Sequence, residues 1–183
     1  MHNSIENKTS LLTRMTRKSL IVHWPILLLL AAFLGPLASA RGEQYHFTLI
    51  GPNVAQNPHT LATIRLTGAG AFDTDAEVVA GSGAFTEYDA AGKAIARGTW
   101  AATSFEGFDS DGGLNPGSQG GVLQIKITLY PKGGVPVTGQ LMTVVCPFEA
   151  DEGVFHEDED GTTVGDFSEV VHGITVFHLV TQP

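Results

Sequence analysis

Hydrophobic and polar residues alternate most regularly between residues 121 and 146. In the first half of this stretch an apolar residue stands at every second position, a period of two that places one row of side chains in a core. The four apolar positions are Leu123, Ile125, Ile127 and Leu129. Prolines and glycines interrupt the pattern at residues 131–136, and a second apolar run follows over residues 137–145. The pattern predicts a β-hairpin.

The same period predicts strands on both sides of this hairpin. A turn at residues 51–53 closes the first strand, and residues 89–93 have the composition of a short hairpin loop with a left-handed glycine. Residues 105–120 are rich in glycine and have no period, which is typical of a lid, a binding loop or a disordered segment. The predicted strands cover residues 45–49, 61–67, 85–88, 94–104, 121–130, 137–145 and 170–180.

These segments, with their flanks, suggest about eight strands and no helix, so we expect an all-β domain. A single antiparallel β-barrel is favoured because closure covers the edges of long strands, and a β-sandwich is the alternative. Two glycine patterns, at residues 68–73 and 81–86, lie thirteen residues apart. Glycines inside strands indicate bends or a close approach of another backbone, and no helical period follows that would favour a phosphate loop.

Gly81-Ser82-Gly83-Ala84-Phe85, followed later by Ala96-Arg97-Gly98, resembles the small eight-stranded barrels of the dirigent and allene oxide cyclase type. The resemblance covers under a fifth of residues 41–183. In that family the glycine-phenylalanine element and the Ala-Arg-Gly element lie close together in the sequence, whereas here a hairpin loop separates them. The resemblance implies a fold and carries over no catalytic residue.

Residues 1–40 have the three parts of a secretory signal peptide. Three cationic residues precede an apolar run at residues 20–34, and a small-x-small box ends at Ala40. An uncleaved anchor is the alternative, but the run falls short of the ~20 residues that a spanning helix needs. We therefore expect a secreted or periplasmic protein that begins at Arg41, with residues 41–183 forming one all-β domain.

Charge limits the partners of residues 41–183. This part has eighteen Asp and Glu (19 minus Glu6) and six Lys and Arg (10 minus Lys8, Arg14, Arg17 and Lys18), a net charge of −12 with His neutral. Nucleic acids and anionic membranes are bound through cationic contacts, so neither is expected as a partner. Cys146 is the only cysteine, which excludes an intrachain disulfide and suggests a small buried side chain.

An acidic run at residues 149–166 is the one candidate for cation binding. Its strongest candidates are Glu157, Asp158 and Asp160, since carboxylate oxygens are the ligands that calcium prefers. The spacing does not fit an EF-hand loop, and runs of like charge are more often solvated loops. We expect no cofactor, with weak calcium binding as the alternative.

Trp100, His46, His172 and His178 are the candidates for ligand binding. Trp100 stands among small residues, as in the floor of a pocket or in a plain core, and His178 meets His46 if the first and last strands pair. A small barrel has room for one ligand, so the leading hypothesis is a binding module for a small, largely apolar molecule. The alternatives are a cyclase or isomerase with a histidine in its pocket, and a structural or interaction protein with a filled interior.

Overall fold

A computed structural model describes residues 43–115, 117–149, 154–155 and 160–180. The predicted signal peptide lies outside the described residues. The described part contains no helical segment with the length and apolarity that a membrane crossing requires. Its strands are β1 (Gln44–Gln56), β2 (Thr63–Asp73), β3 (Val78–Tyr88), β4 (Ala94–Asn115), β5 (Ser118–Pro131), β6 (Val137–Cys146), β7 (Phe148–Glu149), β8 (Val154–Phe155), β9 (Gly161–Val164), β10 (Glu169–His172) and β11 (Thr175–Leu179).

Nine of these strands form one antiparallel sheet in the order β10-β1-β2-β3-β4-β5-β6-β9, with β11 paired to both β1 and β5. The double pairing of β11 closes a ring of six strands, β1-β2-β3-β4-β5-β11. The remaining two strands, β7 and β8, pair with each other as a short ribbon. The predicted all-β, antiparallel class is confirmed, and the ring agrees with both the barrel and the sandwich.

The central hairpin has the predicted strands and the predicted inward row. Leu123, Ile125 and Ile127 are fully buried, and β5 pairs with β6 along its length. The hairpin between β3 and β4 is also confirmed: the Asp89 carboxylate accepts the backbone N–H groups of two loop residues, and Gly92 is left-handed at φ +78°. Local turn chemistry and a period of two were sufficient to identify both hairpins.

Aromatic rings fill the space inside the ring of strands. Phe72 lies at their centre, with its ring centroid 4.9–6.2 Å from the centroids of four other rings. Those rings belong to Tyr45, Phe105, Phe108 and Phe177. Buried aliphatic side chains complete a single core cluster. Aromatic pairs at these distances add to the stability that burial of their large apolar area provides.

The prediction of a loop over residues 105–120 is wrong. β4 continues to Asn115 and β5 begins at Ser118, so this stretch is the far end of a long hairpin. Four register shifts interrupt the β4–β5 pairing between residues 102 and 115. Each bulge reverses which residues face inward, and this explains why the sequence has no period of two there.

Two strand ends were also predicted wrongly, and the side chain of Asn53 makes hydrogen bonds near both. β1 continues through residues 51–53 with a register shift, and the predicted last strand is divided into β10 and β11 around Gly173. The fully buried Asn53 amide donates to the Ile174 carbonyl at 3.2 Å and accepts the Thr162 hydroxyl at 3.2 Å. One buried amide thus links the register shift in β1 to the break before β11 and to β9.

The two glycine patterns lie opposite each other in β2 and β3, and they allow the close approach of a neighbouring backbone that the sequence suggested as one interpretation. Gly68 pairs with Gly83, and Gly70 pairs with Gly81. A Cβ atom at Gly68 would lie 2.5 Å from the indole of Trp100, and one at Gly70 would lie 2.6 Å from the ring of Phe47. These glycines therefore leave room for two aromatic rings to pack closely against the sheet.

Candidate functional site

Trp100 belongs to the core. Its side chain is 1% exposed, and its Nε1–H donates to the backbone carbonyl of Thr67 at 3.0 Å. The ring covers the Gly68–Gly83 pair, which leaves no room for a ligand on that side. The position of Trp100 on the inward face was correctly predicted, and of the two interpretations the geometry matches the plain core residue.

His46 and His178 face each other across β1 and β11, as expected if the first and last strands pair. Both side chains are exposed on the outer face of the sheet, the face turned away from the core. The Nδ1 atom of His178 contacts the Gly117 carbonyl, and since a carbonyl only accepts, Nδ1 carries the hydrogen in this contact. The structure brings these two histidines together and separates both of them from Trp100.

His172 lies elsewhere. It ends β10 opposite Val54 and is exposed on the outer face. The break at residues 173–174 lies between it and His178, so the two histidines do not share a strand. The interior pocket in which a histidine would meet Trp100 is not formed by the described residues.

A hollow of about 290 Å³ opens on the outer face beside His46. We call it the outer hollow; it is lined by Gln44, His46, Ala71, Phe72, Asp73, Val78, Val79 and Ala80. Most of its wall is apolar, and its polar groups come from the ends of β1 and β2. The Gln44 amide donates to the Asp73 carboxylate at 3.4 Å. The Ala76 N–H, at 2.8 Å, lowers the pKa of Asp73 and keeps it charged.

One carboxyl group faces inward at the opposite end of these strands. Glu87 pairs with Ile64 and Ala96, and burial raises its pKa above the ordinary value. Acid–base catalysis needs a second group within hydrogen-bond reach. Within the described residues, neither a hydrogen bond nor an ion pair links the Glu87 side chain to another titratable group.

Among the candidates for cation binding, only Asp160 is described; Glu157 and Asp158 lie outside the described residues. The Asp160 carboxylate is buried and accepts the backbone N–H of Thr175 at 2.9 and 3.1 Å, and it also bonds the Thr175 hydroxyl at 2.5 Å. It therefore holds the start of β11. The described part of the chain contains no group of three or more residues that could hold a metal ion.

Cys146 is a buried thiol next to this carboxylate. Its burial, together with the charge of Asp160, raises its pKa to about 11. A thiol nucleophile requires the opposite shift, because the thiolate is the reactive form. The prediction of a small buried side chain agrees with this environment.

Sequence reasoning identified His46 but missed the rest of the outer hollow. Asp73 and Val78 flank the β2–β3 turn, and that hairpin was not predicted because the glycine patterns hide the alternation of its strands. The signal that could have found the hollow was the outward parity of His46, which shares β1 with the inward residues Tyr45 and Phe47.

The chain matches no protein-family model, no curated protein and no solved structure at a significant level. The resemblance to barrels of the dirigent and allene oxide cyclase type therefore stays a prediction.

Proposed function

We propose that this chain is an exported, non-enzymatic binding module that holds a small, largely apolar ligand in the outer hollow. The observation that carries the proposal is the outer hollow itself, whose apolar wall is bordered by His46 and Asp73. Small-molecule sites combine an apolar surface with a few polar groups that orient the ligand. The volume, about 290 Å³, lies at the lower end of such sites and suits a ligand of two or three rings.

The packed interior supports a site on the surface. The rings around Phe72 occupy the space that an internal ligand would need. A ligand inside the ring would have to displace buried aromatic side chains, each contributing roughly 1.5–3 kcal/mol or more through burial. A ligand in the outer hollow displaces only water.

The packed interior also favours a second candidate, a structural or interaction protein that uses its whole outer face. Several large apolar side chains are exposed there, including Ile95 at 55% and Val171 at 56%. Single exposed apolar residues are normal on soluble domains. The outer hollow, which combines apolar and polar groups in one concave place, makes ligand binding the better supported function.

A neutral fluorescent probe, N-phenyl-1-naphthylamine, tests the proposal. Ala80 lies in the outer hollow, and Ala84 is exposed on the same face of β3, four residues away or roughly 13 Å. We expect saturable binding of the probe that weakens about tenfold or more in Ala80→Trp, because the indole fills the hollow. Ala84→Trp is the matched control and should change the dissociation constant less than about twofold.

Equal effects of the two variants, or no saturable binding, would show that the outer hollow is not the site. Circular dichroism of both variants should match the parent protein, since both positions are exposed.

A further inference from the structure

Cross-strand pairing gathers positive side chains into one row on the outer face. Arg65 of β2 lies opposite Thr86 of β3, and Thr86 lies opposite Arg97 of β4. The Lys132 N–H, just after β5, donates to the Arg97 carbonyl at 2.8 Å and so continues the row. We call Arg65, Thr86, Arg97 and Lys132 the cation row. Its three cations are exposed, and they are half of the six in residues 41–183.

This arrangement costs stability. Carboxylates outnumber cations eighteen to six in residues 41–183, so most cationic side chains would be expected to form an ion pair with a carboxylate. Among the described residues, however, the one ion pair is Lys126–Glu106, and it lies outside the cation row. Arg97 and Lys132 instead stand directly opposite each other, where like charges are destabilising. Local rules of this kind are broken mainly at functional sites.

The surroundings of the cation row suit a ligand with flat faces as well as charges. The guanidinium of Arg65 lies 4.9 Å from the ring centroid of Tyr88, a cation–π contact that orients it. Two shallow hollows of about 480 and 580 Å³ share Arg97 and Lys132 in their linings. The larger contains Ile95, and the smaller contains Tyr130, whose ring is 45% exposed.

The spacing of the cation row follows from the spacing of strands. Neighbouring strands lie about 4.8 Å apart, so Arg65 and Arg97 are separated by about 10 Å and Lys132 follows one strand further. A strand spacing is close to the length of one pyranose unit. Thr86 lies between the two arginines, and Thr99 lies in the smaller hollow, so hydroxyl groups lie beside the cations on this surface.

We propose that the cation row binds a short acidic oligosaccharide, with carboxylates on Arg97, Lys132 and Arg65 and a sugar ring against Tyr130. The planar fork of an arginine matches a carboxylate, and an exposed aromatic ring offers a face to a sugar. The net charge of −12 repels long polyanions, so the ligand is a short one whose charges are met locally. This proposal does not depend on the outer hollow, and it would still hold if the outer hollow were shown to bind no ligand.

Titration calorimetry with trigalacturonate, at physiological salt, tests this site. Arg97→Gln and Lys126→Gln remove the same charge from the same face, but Lys126 is paired with Glu106 and lies outside the cation row. We expect Arg97→Gln to weaken binding about ten- to a hundredfold, as the loss of a charge-assisted hydrogen bond predicts, and Lys126→Gln to weaken it less than about twofold. The neutral maltotriose should not bind measurably.

Several outcomes would overturn the assignment. Equal weakening in both variants would mean that only long-range charge matters. If maltotriose bound as tightly as trigalacturonate, the carboxylates of the ligand would not contribute to binding. If trigalacturonate showed no saturable binding at millimolar concentration, the cation row would not be a binding site for it. Tighter binding of duplex DNA or of phosphatidylserine vesicles than of trigalacturonate would replace the saccharide with another partner. Arg97 is exposed, so a folded Arg97→Gln protein is expected by circular dichroism.

Discussion

Replacing Gly83 by alanine tests the packing on which the whole core depends. A Cβ atom at this position would lie 2.6 Å from Nε1 of Trp100 and would collide with the Thr67 carbonyl, the two partners of the buried hydrogen bond. Overpacking of this kind costs about 1–3 kcal/mol, and separating the buried donor from its acceptor costs about 1–3 kcal/mol more. The loss of backbone freedom in the unfolded chain returns roughly 0.4–1 kcal/mol. We expect a net destabilisation of about 1–5 kcal/mol.

Gly107→Ala is the matched control. Gly107 also lies in a strand, but a Cβ atom there meets no other atom within 4 Å. The same substitution should therefore be neutral or slightly stabilising.

Thermal unfolding of residues 41–183 measures both variants, and a loss of about 1–5 kcal/mol corresponds to roughly 3–15 °C for a domain of this size. Trp100 is the only tryptophan in this part of the chain, so its fluorescence reports directly on the site. If Gly83→Ala proves as harmless as Gly107→Ala, the indole does not lie on Gly83 and the account of the glycine pairs is wrong.

Three further predictions concern the core and its polar contacts. Ile127→Ala should cost about 2–5 kcal/mol in urea unfolding and the adjacent, exposed Lys126→Ala little; equal effects would mean that the inward face is misassigned. Asp160→Asn should lower the free energy of unfolding by about 1.5–3 kcal/mol, because it weakens the hydrogen bonds to Thr175. Calcium and magnesium should each raise the melting temperature of the parent protein by the same small amount, and a rise with calcium alone would contradict this. Burial raises the pKa of Cys146 to about 11, so folding is favoured when the thiol is protonated. This contribution to stability is complete below the unfolded pKa near 9 and is lost as the pH rises towards 11. Cys146→Ala should therefore flatten the curve of stability against pH in this range.

The parts of the fold that sequence reasoning predicted are those with local causes. The alternation around Ile125 and the turn residues at Asp89 and Gly92 specify their hairpins without help from the rest of the chain. The parts it missed depend on distant residues. The β1–β2 pairing shifts register between Leu49 and Asn53, the Asn53 amide donates to Ile174, 121 positions away in the sequence, and no local pattern records that contact.

The candidate binding residues also divide into those that a local pattern predicts and those that only strand pairing brings together. Outward parity places His46 on a surface, but only the pairing of β1 with β11 brings His178 beside it. The cation row is still less visible, because Arg65 and Arg97 become neighbours through a third strand that carries Thr86. Register across strands is a tertiary property, and a one-residue slip would scatter these side chains over both faces.

The outer hollow and the cation row share β3, and the distance between them predicts that they act independently. Ala80 in the hollow and Thr86 in the row are six residues apart, or roughly 20 Å along an extended strand. Exposed charges are largely screened beyond a Debye length of about 8 Å at physiological ionic strength.

Arg97→Gln should therefore leave the dissociation constant of N-phenyl-1-naphthylamine unchanged within about twofold, and Ala80→Trp should leave that of trigalacturonate unchanged to the same extent. Fluorescence titration and calorimetry on the two variants measure both constants. A variant that weakens both ligands together would show that the two places form one extended site along β3, because neither through-space charge nor direct contact spans the distance between them.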